Sequence, residues 1–214
     1  TMRGIGPAFM GGRIADIAIH PSKPSTWYLA VGSGGVWKTT NAGTTWTPVF
    51  DDQKPFSIGC VTVDPNQPDV VWVGTGEAVS GRHVAWGDGV YRSLNGGATW
   101  QHMGLARSEH IAEILVDPSD SSTVYVAAEG PLWSSGGDRG VFKTTNGGVS
   151  WEQVLQIDAD TGVTSLALAP DDPDTLYAAA YQRRRRVWSF LGGGPGSGIY
   201  KTSNGGDSWR EVTQ

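Results

Sequence analysis

One nine-residue pattern ending in tryptophan occurs four times in this 214-residue chain. The copies are Lys38-Thr-Thr-Asn-Ala-Gly-Thr-Thr-Trp46, Arg92-Ser-Leu-Asn-Gly-Gly-Ala-Thr-Trp100, Lys143-Thr-Thr-Asn-Gly-Gly-Val-Ser-Trp151 and Lys201-Thr-Ser-Asn-Gly-Gly-Asp-Ser-Trp209. They share Ser/Thr-x-Asn-x-Gly-x-Ser/Thr-Trp. A second motif precedes each copy: His20-Pro21 with Tyr28, Asp64-Pro65 with Trp72, Asp117-Pro118 with Tyr125, Ala169-Pro170 with Tyr177. Two linked motifs at a period near 50 residues mean one supersecondary unit repeated and stacked.

Each unit reads as four strands. In the second they are Gly59–Val63, Val70–Gly74, Gly89–Ser93 and Thr99–Met103. β-Branched and aromatic residues fill these runs, and Pro, Asn, Asp and Gly fill the gaps. The first strand is a continuous apolar run, as an inner strand buried on both faces requires. Four-stranded antiparallel sheets repeated about an axis are propeller blades. The expected fold is all-β, with four blades over residues 11–52, 53–104, 105–156 and 157–214 after a lead-in of residues 1–10.

The tryptophan motif falls at the turn between strands three and four. Asn41, Asn95, Asn146 and Asn204 can each form an Asx-turn. Gly43, Gly97, Gly148 and Gly206 supply the positive φ of a tight hairpin. The Ser/Thr hydroxyls can satisfy turn amides. Trp46, Trp100, Trp151 and Trp209 then bury large rings between neighbouring sheets, each with one N–H that needs a partner. All of this is structural.

Composition narrows the function. A net charge of −5 argues against a nucleic-acid backbone as partner. The single cysteine, Cys60, excludes an intrachain disulfide, and its apolar surroundings point to a buried small hydrophobe. No apolar run reaches the length of a membrane span. The four histidines are scattered without a ligand spacing, so neither a metal nor a cofactor is expected.

On these repeats the chain resembles the Asp-box, or bacterial neuraminidase repeat, propellers. Those include sortilin-type receptors, xyloglucanases and exported bacterial proteins that begin much like Arg3-Gly-Ile-Gly-Pro7. Asn replaces the family's usual Asp in all four boxes, which keeps the Asx-turn geometry. The resemblance implies export to the periplasm or outside. It also implies a ring larger than four blades, completed by further blades of the same protein or by self-association. Sialidases of this type use arginines from separate blades, whereas Arg183–Arg186 are consecutive. Xyloglucanases place an acidic residue before a Gly-Gly where this chain has Ser33.

Alternating strand direction sorts the loops. Loops between strands one and two share a face with the Asp-box turns and are short. Loops between strands two and three share the opposite face with the blade links and vary in length: Ser33–Gly35, Glu77–Asp88, Gly130–Arg139 and Gln182–Gly198. Variable loops on a rigid scaffold are where binding concentrates. The candidate ligand face is Glu77, Arg82, His83, Trp86, His110, Glu129, Trp133, Asp138, Arg139, Tyr181, Arg183 and Trp188, with Asp88, Glu109 and Phe190 beside them. Aromatics among carboxylates and arginines suit a peptide, a protein or a glycan, and equally suit loops packing on one another. The arginine run reads either as solvated residues and salt-bridge donors or as a contact to an acidic ligand. The leading expectation is a non-enzymatic binding scaffold. The alternative is a glycoside hydrolase or lyase with Glu77 and Glu129 as its carboxylate pair and further residues outside this chain.

Overall fold

A computed structural model describes residues 12–213; the lead-in and the Arg3–Pro7 segment lie outside them. The described elements form four antiparallel four-stranded sheets. The first contains β1 (Ile14–Ile19), β2 (Trp27–Val31), β3 (Gly35–Thr39) and β4 (Thr47–Pro48). The second contains β5 (Ile58–Val63), β6 (Val71–Thr75), β7 (Val90–Ser93) and β8 (Gln101–His102). The third contains β9 (Ile111–Asp117), β10 (Asp120–Ala128), β11 (Gly140–Thr144) and β12 (Glu152–Leu155). The fourth contains β13 (Thr161–Ala169), β14 (Asp172–Arg185), β16 (Gly198–Thr202) and β17 (Arg210–Glu211), with β15 (Phe190–Gly192) paired to the far end of β14. These are the propeller blades expected from the repeat.

The core lies between the sheets. Ile58 and Val61 of the second blade pack on Tyr28, Ala30, Val36 and Phe50 of the first. Ile111 and Ile114 pack in the same way on Trp72, Val90 and Met103 of the second. Val163 and Leu166 pack on Tyr125, Val141 and Leu155 of the third. The second and third sheets therefore each contribute one face to the blade before them and one to the blade after them.

The Asp-box turns fasten these joints. In the second blade Asn95 Oδ1 accepts from Thr99 N at 2.9 Å, and Ser93 Oγ accepts from Gly97 N at 2.8 Å. The equivalent bonds recur in all four boxes. The box amides Ala42 and Gly96 donate to the Ser25 and Asp69 carbonyls in the strand-one-to-two loops, and Gly147 and Gly205 donate to the Ser122 and Asp174 carbonyls at the start of β10 and β14. This places boxes and short loops on one face. Two consecutive box residues take positive φ, not one. The glycine before Gly97 is Gly96 at 63°, and the first blade puts Ala42 there at 54°.

Tryptophan indoles cross the joints. Trp100 Nε1 donates to Val49 O and Trp151 Nε1 to Met103 O, both at 2.6 Å and both in the preceding blade. Cations run the other way: Lys38 Nζ donates to Gly96 O at 2.7 Å, Arg92 Nη1 to Gly147 O at 2.5 Å and Lys143 Nζ to Gly205 O at 2.7 Å.

Candidate functional site

The residue before each inner strand lies on the loop face: Arg13, Ser57 and His110 precede β1, β5 and β9. Glu77, just past β6, is gripped by all three. Arg13 Nε and Nη2 donate to its two carboxylate oxygens at 2.5 Å each. Its backbone N donates to Ser57 Oγ at 3.0 Å, and His110 Nδ1 meets its carbonyl at 3.0 Å. A carbonyl only accepts, so His110 carries its proton on Nδ1. Burial, then the nearby Arg183 charge, depresses His110 to about 3, against the opposing bond to Glu77 O.

Glu129 ends β10 one blade further on. Arg183 Nη1 lies 2.5 Å from Glu129 Oε2, with both side chains buried. Burial pushes the Glu129 carboxyl up, and Arg183 and Arg139 oppose that shift. Burial likewise lowers Arg183, and Glu129 opposes it. Arg139 donates to Glu129 O at 2.7 Å and to the Gly136 and Ser134 carbonyls at 2.8 Å each, and it also bonds Pro131 O. It folds the 130–139 loop around one guanidinium. Burial, then Arg183, lowers Arg139 to about 10.

Gln182–Gly198 is not an open loop. β14 continues through Arg185 and pairs with β15, with Arg183 opposite Gly192 and Arg185 opposite Phe190. Arg183 is thus a buried strand residue, contrary to the solvated reading, while the salt-bridge reading of the run describes it correctly. The hairpin reaches the second blade's loop. Arg185 Nε and Nη2 donate to Ser80 O at 2.8 and 2.6 Å, and Arg82 Nη2 donates to Val187 O at 3.0 Å. Arg184 Nη1 donates to Ser135 Oγ at 2.5 Å, beside Asp160.

The structure thus sorts the sequence-predicted face in two. Glu77, His110, Glu129, Arg139 and Arg183 are buried and bonded to protein groups. Arg82, His83, Trp86, Trp133 and Trp188 are exposed, and Tyr181 and Asp138 are half-buried. Asp138 accepts from Arg107 Nη2 at 2.8 Å. Phe190 lies under the Arg185 guanidinium, 4.7 Å from its ring centre. Both carboxylate oxygens of Glu77 are taken by Arg13, whereas Glu129 meets Arg183 through Oε2.

One open groove of the face, of about 430 Å3, lies between the link that enters the second blade and that blade's long loop, lined by Lys54, Pro55, Phe56, Ala85, Trp86, Gly87 and Asp88. Phe56 is 58% and Trp86 68% exposed. The loop carrying Trp86 is pinned on both sides: Ser57 Oγ donates to Ala85 O at 2.8 Å, and Gly87 N donates to Glu109 O at 2.7 Å. A Cβ on Gly87 would fall 2.2 Å from Thr75 Oγ1, so only glycine allows this approach. Asp88 Oδ2 accepts from Tyr91 OH at 3.0 Å, while its buried Oδ1 has no partner among the described residues. Sequence reasoning picked Trp86 and Asp88 but missed Lys54, Phe56 and the anchors Arg13 and Ser57. The blade links share this face, so an aromatic in a link is the available signal for Phe56.

Three proteins are similar to this chain. The oligoxyloglucan reducing-end-specific xyloglucanase of Emericella nidulans is 23% identical over 94% of this chain and 24% of its own length. A solved ancestral GH74 enzyme matches with a TM-score of 0.71 at 23% identity, over 94% of this chain and 25% of that one. The GH74 xyloglucanase of Xanthomonas campestris matches with a TM-score of 0.68 at 19% identity, over 92% and 29%. The chain therefore spans about a quarter of the length of these proteins. The structural likenesses are likenesses of fold. The model of the Sortilin-Vps10 family, described as "Sortilin, neurotensin receptor 3", matches residues 88–214, well over half the sequence. With its Asn-Gly-Trp boxes and stacked four-stranded blades, the chain belongs to the Sortilin-Vps10 family.

Proposed function

We propose that this chain is a glycan-binding section of a carbohydrate-active propeller protein, with sugar rings seated on Phe56 and Trp86. The observation that carries the reading is the groove itself. Two aromatic rings are more than half exposed beside a lysine and an aspartate, Phe56 on the blade link and Trp86 on a loop held at both flanks. Sugar rings present C–H faces to aromatic side chains, and a few fixed polar groups set their orientation. Relatives named as xyloglucanases support a glycan as the ligand class.

In this reading Glu77 and Glu129 are structural anchors. Hydrolysis by the whole protein draws on carboxylates of other blades, in keeping with Ser33 at the position where the resemblance puts an acid. Export accompanies the proposal, because polymeric glycans are met outside the cytoplasm.

Calorimetric titration with xyloglucan oligosaccharides, with mannan and chitin oligosaccharides as controls, tests the proposal. Saturable binding is expected, with no new reducing ends after long incubation. Failure to bind any of these glycans would overturn the ligand class. Release of product by this chain alone would overturn the anchoring role of Glu77 and Glu129.

A further inference from the structure

The link that enters each later blade holds one residue at a fixed place on the loop face. Phe56, Glu109 and Ala159 each stand two residues before an inner strand. Each gives its carbonyl to a glycine amide from the preceding blade. Gly35 N donates to Phe56 O at 2.9 Å, Gly87 N to Glu109 O at 2.7 Å and Gly136 N to Ala159 O at 2.7 Å. Phe56 lines the groove with Trp86. Glu109 is its counterpart one blade on, and the bond from Gly87 sets it against the loop that carries Trp86.

Glu109 is held in an unfavourable backbone conformation. Its φ is 63°, in the left-handed region where a Cβ is strained. Its carbonyl is closely wrapped: a Cβ on Gly76 would collide with Glu109 O. Among the described residues, Ala42 and Leu105 share such a φ without being glycine. Ala42 stands in a box turn, and Leu105 packs on the apolar joint between the second and third blades. Glu109 is half-buried, and its carboxylate makes no hydrogen bond or ion pair among the described residues. Burial raises the carboxyl, and the charge of Arg139 opposes that shift. Glycine would hold the same turn without strain, so the fold does not require glutamate here. A strained residue with an unbonded carboxylate beside an open groove is a candidate ligand contact.

We propose, on the glycan reading of that groove, that Glu109 extends it as a hydrogen-bonding subsite for sugar hydroxyls. The sugar it takes is the neighbour of the one stacked on Phe56 and Trp86. A sugar ring carries adjacent hydroxyls that donate, and a carboxylate offers two oxygens that accept. Aromatic faces fix the plane of a sugar, and a polar group at the edge fixes its rotation within that plane. Phe56 and Glu109, at equivalent places in successive links, divide these two tasks.

Calorimetric titration with a xyloglucan oligosaccharide tests this on wild type, Glu109→Gly, Glu109→Gln and Trp86→Ala, each with its thermal midpoint. Glu109→Gly should keep or raise the midpoint, because glycine relieves the strain. It should nonetheless bind at least about tenfold more weakly, since hydrogen bonds to a charged acceptor are lost. Glu109→Gln keeps one acceptor oxygen and should fall between that variant and wild type. Glu109→Gly binding within about twofold of wild type, while Trp86→Ala loses affinity, would overturn the role of Glu109 and leave the glycan reading standing. A midpoint clearly lowered in Glu109→Gly would make the side chain part of the packing and overturn it too. No binding by wild type would overturn the glycan reading and this subsite with it.

Discussion

Arg183 and Glu129 approach to 2.5 Å with 1% and 3% of their side chains exposed, so a charge pair closes the loop face between the third and fourth blades. Removing one partner leaves the other charge buried. Glu129→Ala or Arg183→Ala should each destabilise the chain by about 3–5 kcal/mol, whereas replacing both by methionine should recover most of that loss. Urea unfolding of the two single variants and the double variant checks this. Additive losses would show that the pair is not coupled.

Ala42 is the one box residue that holds a positive φ without being glycine at its position. A Cβ in that region is strained by roughly 1–2 kcal/mol, partly offset by the entropy that glycine gains in the unfolded chain. Ala42→Gly should therefore stabilise the protein by about 0.5–1 kcal/mol. The thermal midpoint reads this directly, and a lowered midpoint would contradict it.

His110 gives the protein a pH dependence of known sign. Its folded value is about 3 against an ordinary 6.5. Below pH 6.5 the unfolded chain takes up a proton that the folded chain refuses. Stability is fully present above that value and falls as pH drops toward 3, by up to about 1.4 kcal/mol per pH unit. His110→Asn can still donate to Glu77 O but does not titrate. Denaturation at pH 7.5 and pH 5 should show wild type losing roughly 2 kcal/mol more than the variant. Equal losses would contradict the assignment.

The repeat made most of the fold legible. Asn95, Gly97 and Trp100 announced the turn and its place, and the apolar run 58–63 announced an inner strand. The loop face was legible only as a location. Nothing in the residue pattern distinguishes a carboxylate that waits for a ligand from one already held, and both Glu77 and Glu129 are held. Arg13 is 64 residues from Glu77 in sequence, and the meeting depends on how adjacent blades set their strand ends. The Arg183–Arg185 strand was hidden because four arginines read as solvated chain. Only Arg183 of the run is buried; Arg183–Arg185 pair with β15 and Arg185 donates to Ser80 O, contacts that carry no sequence signature.

Cys60 is buried in the joint between the second and third blades, and burial raises its thiol, reinforced by the Asp16 and Glu113 charges. Labelling with a thiol reagent should proceed only through opening of that joint, and should accelerate with denaturant in step with unfolding. Rapid labelling of the native protein would contradict the packing described.

The central claim is that glycan is held by the groove of Phe56 and Trp86 and not by the exposed aromatics of the β14–β15 hairpin. The most direct measurement is the affinity for a xyloglucan oligosaccharide of Trp86→Ala against Trp188→Ala, both exposed positions whose loss should leave the fold intact. Loss of one stacking ring should weaken binding by at least about tenfold for Trp86→Ala and leave Trp188→Ala within about twofold of wild type. The reverse order, or two variants that bind like wild type, would contradict the account.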